Sequence, residues 1–127
     1  MQLFDTLSGK KREFQPLTDK PIRIYTCGPS VYDYSHIGNF RTYLFEDILV
    51  RYLIYKGYRV KRVMNVTDIE DKAIEASHKM DVSLEKLVND KINRFFADYD
   101  SLGMLRPDRI VKASEYIPKM LELIEKL

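Results

Sequence analysis

The chain has 127 residues, 45% of them hydrophobic and 31% charged, a balance that suits one modest globular domain with a real core. A net charge of +2 is too small to argue for a polyanion partner, and the basic residues Lys10, Lys11, Arg12, Arg59, Lys61 and Arg62 are scattered as on a solvated surface. No apolar run approaches the roughly 20 residues that span a bilayer, no signal-peptide pattern opens the sequence, and the single Cys27 excludes an internal disulfide framework and fits a reducing cytoplasm.

In chain order, Leu3 to Leu7 and Phe14 to Leu17 flank Ser8-Gly9-Lys10-Lys11-Arg12 and predict a short hairpin. After Asp19-Lys20-Pro21, the run Ile22 to Thr26 reads as a strand that Cys27-Gly28-Pro29 must end. A polar and aromatic loop follows to about Asn39. From Arg41 a helix is expected, with Leu44, Phe45, Ile48, Leu49, Tyr52 and Leu53 on its apolar face and Gly57 at its end. Tyr58 to Val66 reads as the next strand. Thr67-Asp68-Ile69-Glu70 matches a capping box that opens a helix to about Lys79. Ser83 caps a long helix bearing Leu84, Val88, Ile92, Phe95, Tyr99 and Leu102, which Gly103 and Pro107 close. Ser114 opens a last helix with Ile117, Leu121 and Ile124. The expected organisation is a hairpin extension over 1–20, a βαβ core over 21–80 and helices over 83–127.

A βαβ crossover is nearly always right-handed, with its strands parallel, and ligands of such sheets bind beyond the carboxyl ends of the strands. Cys27 and Thr67 each follow one of these two strands. If the strands are neighbours, both residues border one crevice with the loop Ser30 to Asn39. Gly38-Asn39 falls where the following helix begins, and free N–H groups there favour a phosphate. His36 and Asn39 are three apart and can project toward one anion. For a lone His-x-Gly-Asn, the plainer reading is a loop histidine with a satisfied hydrogen bond.

The stretch Cys27-Gly28-Pro29-Ser30-Val31-Tyr32-Asp33-Tyr34-Ser35-His36-Ile37-Gly38-Asn39, with Arg41 after it, resembles the signature loop of class I aminoacyl-tRNA synthetases of the cysteine type. Asn65-Val66-Thr67-Asp68-Ile69-Glu70-Asp71-Lys72, Leu105-Arg106-Pro107-Asp108 and Leu3-Phe4-Asp5-Thr6-Leu7 extend the resemblance over nearly the whole chain. It implies an α/β fold: the first half of a Rossmann-like nucleotide-binding domain with parallel strands, plus C-terminal helices. It further implies ATP-dependent activation of cysteine and its transfer to tRNA in the cytoplasm. On that reading His36 and Asn39 are catalytic, and Pro29, Ser30, His36, Gly38 and Asn39 bind ATP. Cys27 and Thr67 then hold the amino acid, and Cys27 is also a zinc ligand. Asp68 and Asp71 are either site residues or carboxylates that favour a helix N-terminus.

Two positions depart from the family pattern: Asn39 stands where the cysteine enzymes usually carry His, and Ser30 where they carry Thr. The remaining zinc ligands and the pyrophosphate-clamping loop of the family have no counterpart in this sequence, and His78 reads as a surface residue. The resemblance therefore implies that the isolated chain is an incomplete enzyme, with a second chain or self-association covering an exposed edge and apolar surface. The other readings are a non-catalytic nucleotide-binding or interaction module, and a piece of the related ligase that joins cysteine to an amino sugar in mycothiol synthesis.

Overall fold

A computed structural model describes residues 1–18 and 20–127; Asp19, part of the expected break before the first core strand, lies outside the described residues. The chain opens with an antiparallel hairpin of β1 (Gln2–Asp5) and β2 (Lys10–Glu13), with Leu3 opposite Arg12. The turn is earlier than the sequence suggested, and Lys10 to Arg12 belong to the strand. Asp5 sets it: its carboxylate accepts from the N–H groups of Leu7 and Ser8, a local alternative to strand pairing.

The core is a three-stranded parallel sheet in the order β3–β4–β5, formed by Ile22–Thr26, Val60–Val66 and Arg109–Lys112. Ile22 pairs with Val60 and Thr26 with Met64, so β3 and β4 form the expected crossover pair. β5 was not foreseen: the segment after Pro107 pairs in parallel with β4, Val63 opposite Arg109. The fold is thus α/β with a parallel sheet, as a partial Rossmann-like domain requires, but its C-terminal part is not helical throughout.

Alternate residues of β4 (Arg62, Met64 and Val66) are buried on one sheet face, beneath helices α1 (Ile37–Tyr55) and α3 (Leu84–Ser101). Phe40 and Tyr43 of α1 meet Phe95, Phe96 and Tyr99 of α3 there, with the Phe40 and Phe95 rings stacked 5.5 Å apart. α1 begins at Ile37, beside the Gly38-Asn39 start that the sequence suggested and four residues before its apolar period sets in at Arg41, because His36 caps it. Its buried stripe is Phe40, Tyr43, Asp47, Val50 and Leu53, whereas Phe45, Ile48 and Tyr52, expected inside, are exposed. Apolar and charged residues are both spread round this helix, which leaves no periodicity from which to choose the face. Gly57 ends it at φ +85°, as expected.

The buried stripe of α1 includes a charge because that charge has partners. Asp47 accepts from the Leu105 N–H at 2.8 Å and from Arg51. Arg62, 2% exposed, donates from its side chain to the Tyr99 hydroxyl and the Leu105 carbonyl, and from its backbone N–H to Asp108. Arg106 pairs bidentately with Asp100 and lies over the Phe96 ring. Leu105-Arg106-Pro107-Asp108 is therefore a buckle joining α1, β4 and α3.

α2 (Asp71–Lys79) follows β4, and α4 (Ile117–Ile124) follows a single 3₁₀ turn over Ser114–Tyr116. Ser83 caps α3 by accepting from Lys86 N–H, as predicted. The capping box expected at Thr67 does not form. Thr67 does not cap α2, because its backbone is in a parallel bridge with Ser30; Glu70 holds the cap position without a side-chain bond. Ser114 opens the last helical segment, as expected, as the first residue of the 3₁₀ turn, while its N–H and hydroxyl both bond Asp68.

Candidate functional site

Beyond the carboxyl ends of β3 and β4 the chain forms a cleft of about 390 Å³. Two strand-like bonds continue the sheet into its floor: Val31 N–H donates to Thr67 O at 3.2 Å, and Thr67 N–H to Pro29 O at 3.0 Å. This bridge brings the Cys27-Gly28-Pro29 turn beside Thr67, the juxtaposition that the strand order implied.

Asn65 locks the turn from below. Its Oδ1 accepts from Gly28 N–H at 3.0 Å, which fixes the amide's orientation, and its Nδ2 faces the Thr67 hydroxyl at 3.4 Å. Residues 65 and 67 share a sheet face by the two-residue period of a strand, so a polar residue two before Thr67 was a readable signal that the sequence reading passed over. Gly28 admits no alternative: a Cβ there would lie 1.7 Å from the Asn65 carbonyl oxygen.

The opposite wall is the start of α1. His36 is its cap residue; its Nδ1 accepts from Gly38 N–H at 3.0 Å, while Asn39 Oδ1 accepts from His36 N–H at 3.0 Å. This reciprocal pair is a capping box built from His and Asn. With Nδ1 an acceptor, the neutral imidazole carries its proton on Nε2. Asn39 keeps its Nδ2 donors uncommitted among the described residues. Gly38 is needed beside the ring, since a Cβ would come within 2.8 Å of His36 Cε1. Ser30, His36, Gly38 and Asn39 are exposed and Pro29 is buried, and Ser30, His36 and Asn39 all line the cleft.

The cleft also holds residues that the sequence reading did not single out: Tyr32, Asp33, Tyr43, Glu70 and Lys72. Lys72 Nζ lies 5.0 Å from the Tyr32 ring centroid, and the buried Lys91 places its Nζ 3.4 Å from that of Tyr34, so two lysines hold the loop's aromatic residues. Burial pushes the Tyr43 hydroxyl up to about 12, with Cys27 and Glu46 adding to the shift, so Tyr43 stays a neutral donor.

The two ambiguous carboxylates separate. Asp68 is buried and binds Ser114 through both oxygens, which makes it a brace between the end of β4 and the segment after β5. Asp71 is exposed in the first turn of α2, where its charge favours the helix dipole. Cys27 is exposed, its Sγ 3.7 Å from Gly28 O. Among the described residues no three His, Cys, Asp or Glu side chains could share a metal ion. This chain's own donors therefore do not compose the zinc centre that the loop resemblance implies. His78 is exposed late in α2, away from the cleft.

The family model for the catalytic domain of class I (C) tRNA synthetases matches residues 13–127. The chain belongs to that family. Among curated relatives, it is 51% identical to a cysteine–tRNA ligase of Chlamydia muridarum over 125 residues, 98% of this chain and 26% of the relative. It is 48% identical to that of Chlamydia pneumoniae and 42% identical to that of Koribacter versatilis, in both cases over all of this chain and about a quarter of the relative. The chain thus spans about a quarter of the length of these class I relatives. No described helix is long and apolar enough to cross a membrane.

Proposed function

We propose that the chain forms the nucleotide-binding part of a ligase that activates cysteine with ATP for transfer to tRNA. The observation that carries this reading is the parallel bridge between Ser30 and Thr67, which seats Gly28, Pro29 and Ser30 in one cleft with His36 and Asn39, while Cys27 and Thr67 adjoin these residues outside the lining. On this reading the adenosine lies along Pro29, Ser30 and Gly38. His36 donates from Nε2, and Asn39 from Nδ2, to phosphate oxygens as the amino acid's carboxylate attacks the α-phosphate and the bond to the β-phosphate breaks, releasing pyrophosphate. Such catalysis is mostly positioning and electrostatic stabilisation of developing charge. Asn39 contributes a neutral donor where a histidine could carry charge. Thr67 and Cys27 border the space for the amino acid, and Cys27 acts as a metal donor only with ligands from outside these residues.

The outer side of α1 supports a reading in which further protein completes the domain. Phe45, Ile48 and Tyr55 are 68%, 63% and 83% exposed there, and β3 is a sheet edge carrying the exposed Tyr25. The isolated chain is expected to bind ATP weakly and to catalyse no cysteine-dependent ATP–pyrophosphate exchange. Titration with ATP followed by amide NMR should first move Gly38, Asn39 and the neighbours of His36. Shifts confined to other surfaces, or measurable exchange by the chain alone, would overturn this assignment of roles.

A further inference from the structure

We infer that Lys72 is the cation that receives the phosphate chain in this cleft, which rests on the nucleotide-binding reading above. The other charged side chains lining the cleft are Asp33 and Glu70, both carboxylates that repel a phosphate. His36 is committed through Nδ1 to Gly38 N–H, and Asn39 is uncharged. Lys72 is thus the one lysine or arginine among the described lining residues.

Two features separate it from an ordinary surface lysine. First, it occupies the first turn of α2, where the helix dipole disfavours a cation, so its position lowers the stability of the helix that carries it. Second, it makes no ion pair among the described residues, although Glu70 and Asp71 are close in sequence. Its ammonium is instead held over the Tyr32 ring, which directs it along the cleft wall without neutralising it. An exposed cation–π contact is weak beside a charge-assisted bond to a phosphate oxygen. The contact therefore parks the charge where a phosphate can recruit it.

The test compares adenosine with ATP as probes of the chain and of Lys72→Met and Lys72→Arg, by amide NMR titration at fixed ionic strength. Lys72→Met should leave adenosine affinity unchanged and weaken ATP roughly tenfold, and Lys72→Arg should restore most of the loss. An unchanged preference for ATP over adenosine in Lys72→Met overturns the assignment, as does an equal loss for both ligands, which marks a structural role. If neither ligand moves the Gly38 and Asn39 amides of the unaltered chain, the nucleotide-binding reading itself fails and this inference falls with it.

Discussion

Gly28→Ala should be among the most damaging single-methyl changes available to this chain. The added Cβ would lie 1.7 Å from the Asn65 carbonyl oxygen and 2.8 Å from Met64 Cγ, and Met64 is fully buried. The obstacle is backbone in the central strand, so the turn has to retreat by more than about 1 Å, an overpacking cost of about 1–3 kcal/mol. That retreat breaks the bond from Gly28 N–H to Asn65 Oδ1 and loosens the two bonds joining Pro29 and Val31 to Thr67, each worth about 1 kcal/mol. A total near 4 kcal/mol is a large share of the roughly 6–19 kcal/mol that a chain of this length holds. Urea denaturation should show a midpoint lower by about 2 M. Gly9→Ala is the control: it sits at φ +65° with nothing within 4 Å of the added atom. Its cost is conformational alone, about 1–2 kcal/mol. A Gly28→Ala chain no less stable than Gly9→Ala would refute the close approach at the cleft floor.

Asp68→Ala should cost about 2 kcal/mol and speed amide exchange over residues 109–116, because the carboxylate holds Ser114 through both its N–H and its hydroxyl. Unchanged exchange there would assign Asp68 a role other than a brace. Burial raises the Glu46 carboxyl above its ordinary range, with the Arg62 charge and the Thr26 hydroxyl opposing the shift. The folded chain then holds that proton more tightly than the unfolded one, so stability declines as pH rises from the unfolded value through the raised one, and then levels. Glu46→Gln should remove that decline from melting temperatures measured between about pH 4 and pH 7. An identical pH slope in both chains would exclude Glu46 as its source.

What could be read from sequence was whatever local chemistry decides. β3 was bounded by punctuation on both sides, Ser83 could cap α3 with its own hydroxyl, and Gly57 met a left-handed position. The cleft was legible for the same reason: its parts follow two strands whose parallel pairing is dictated by chain order. Tertiary competition hid the rest. Thr67 has the residue type of a cap, but a strand bridge claims it. β5 is four residues with charged ends, and only pairing with β4 makes it a strand. Lys72 closes the Asn65–Lys72 stretch that carries the resemblance, but nothing in that pattern gives it a role; its place on the cleft wall depends on where α2 starts and on Tyr32 across from it.

The register of the sheet also governs how the chain reaches this state. Ile22 meets Val60 and Val63 meets Arg109, so each strand pairing closes a loop of roughly 40 residues before any backbone ladder forms. The β1–β2 hairpin can assemble from near neighbours, but the parallel sheet cannot. The cluster of Phe40, Tyr43, Phe95 and Tyr99 between α1 and α3 is non-local too, closing a loop of roughly 55 residues. The Ser30–Thr67 bridge sits beyond the last β3–β4 pair, at the far end of that strand pairing. The cleft therefore rests on a non-local pairing, whereas the bonds within α3 are local, and protection of the Thr67 amide in pulse-labelled refolding should trail that of the α3 amides.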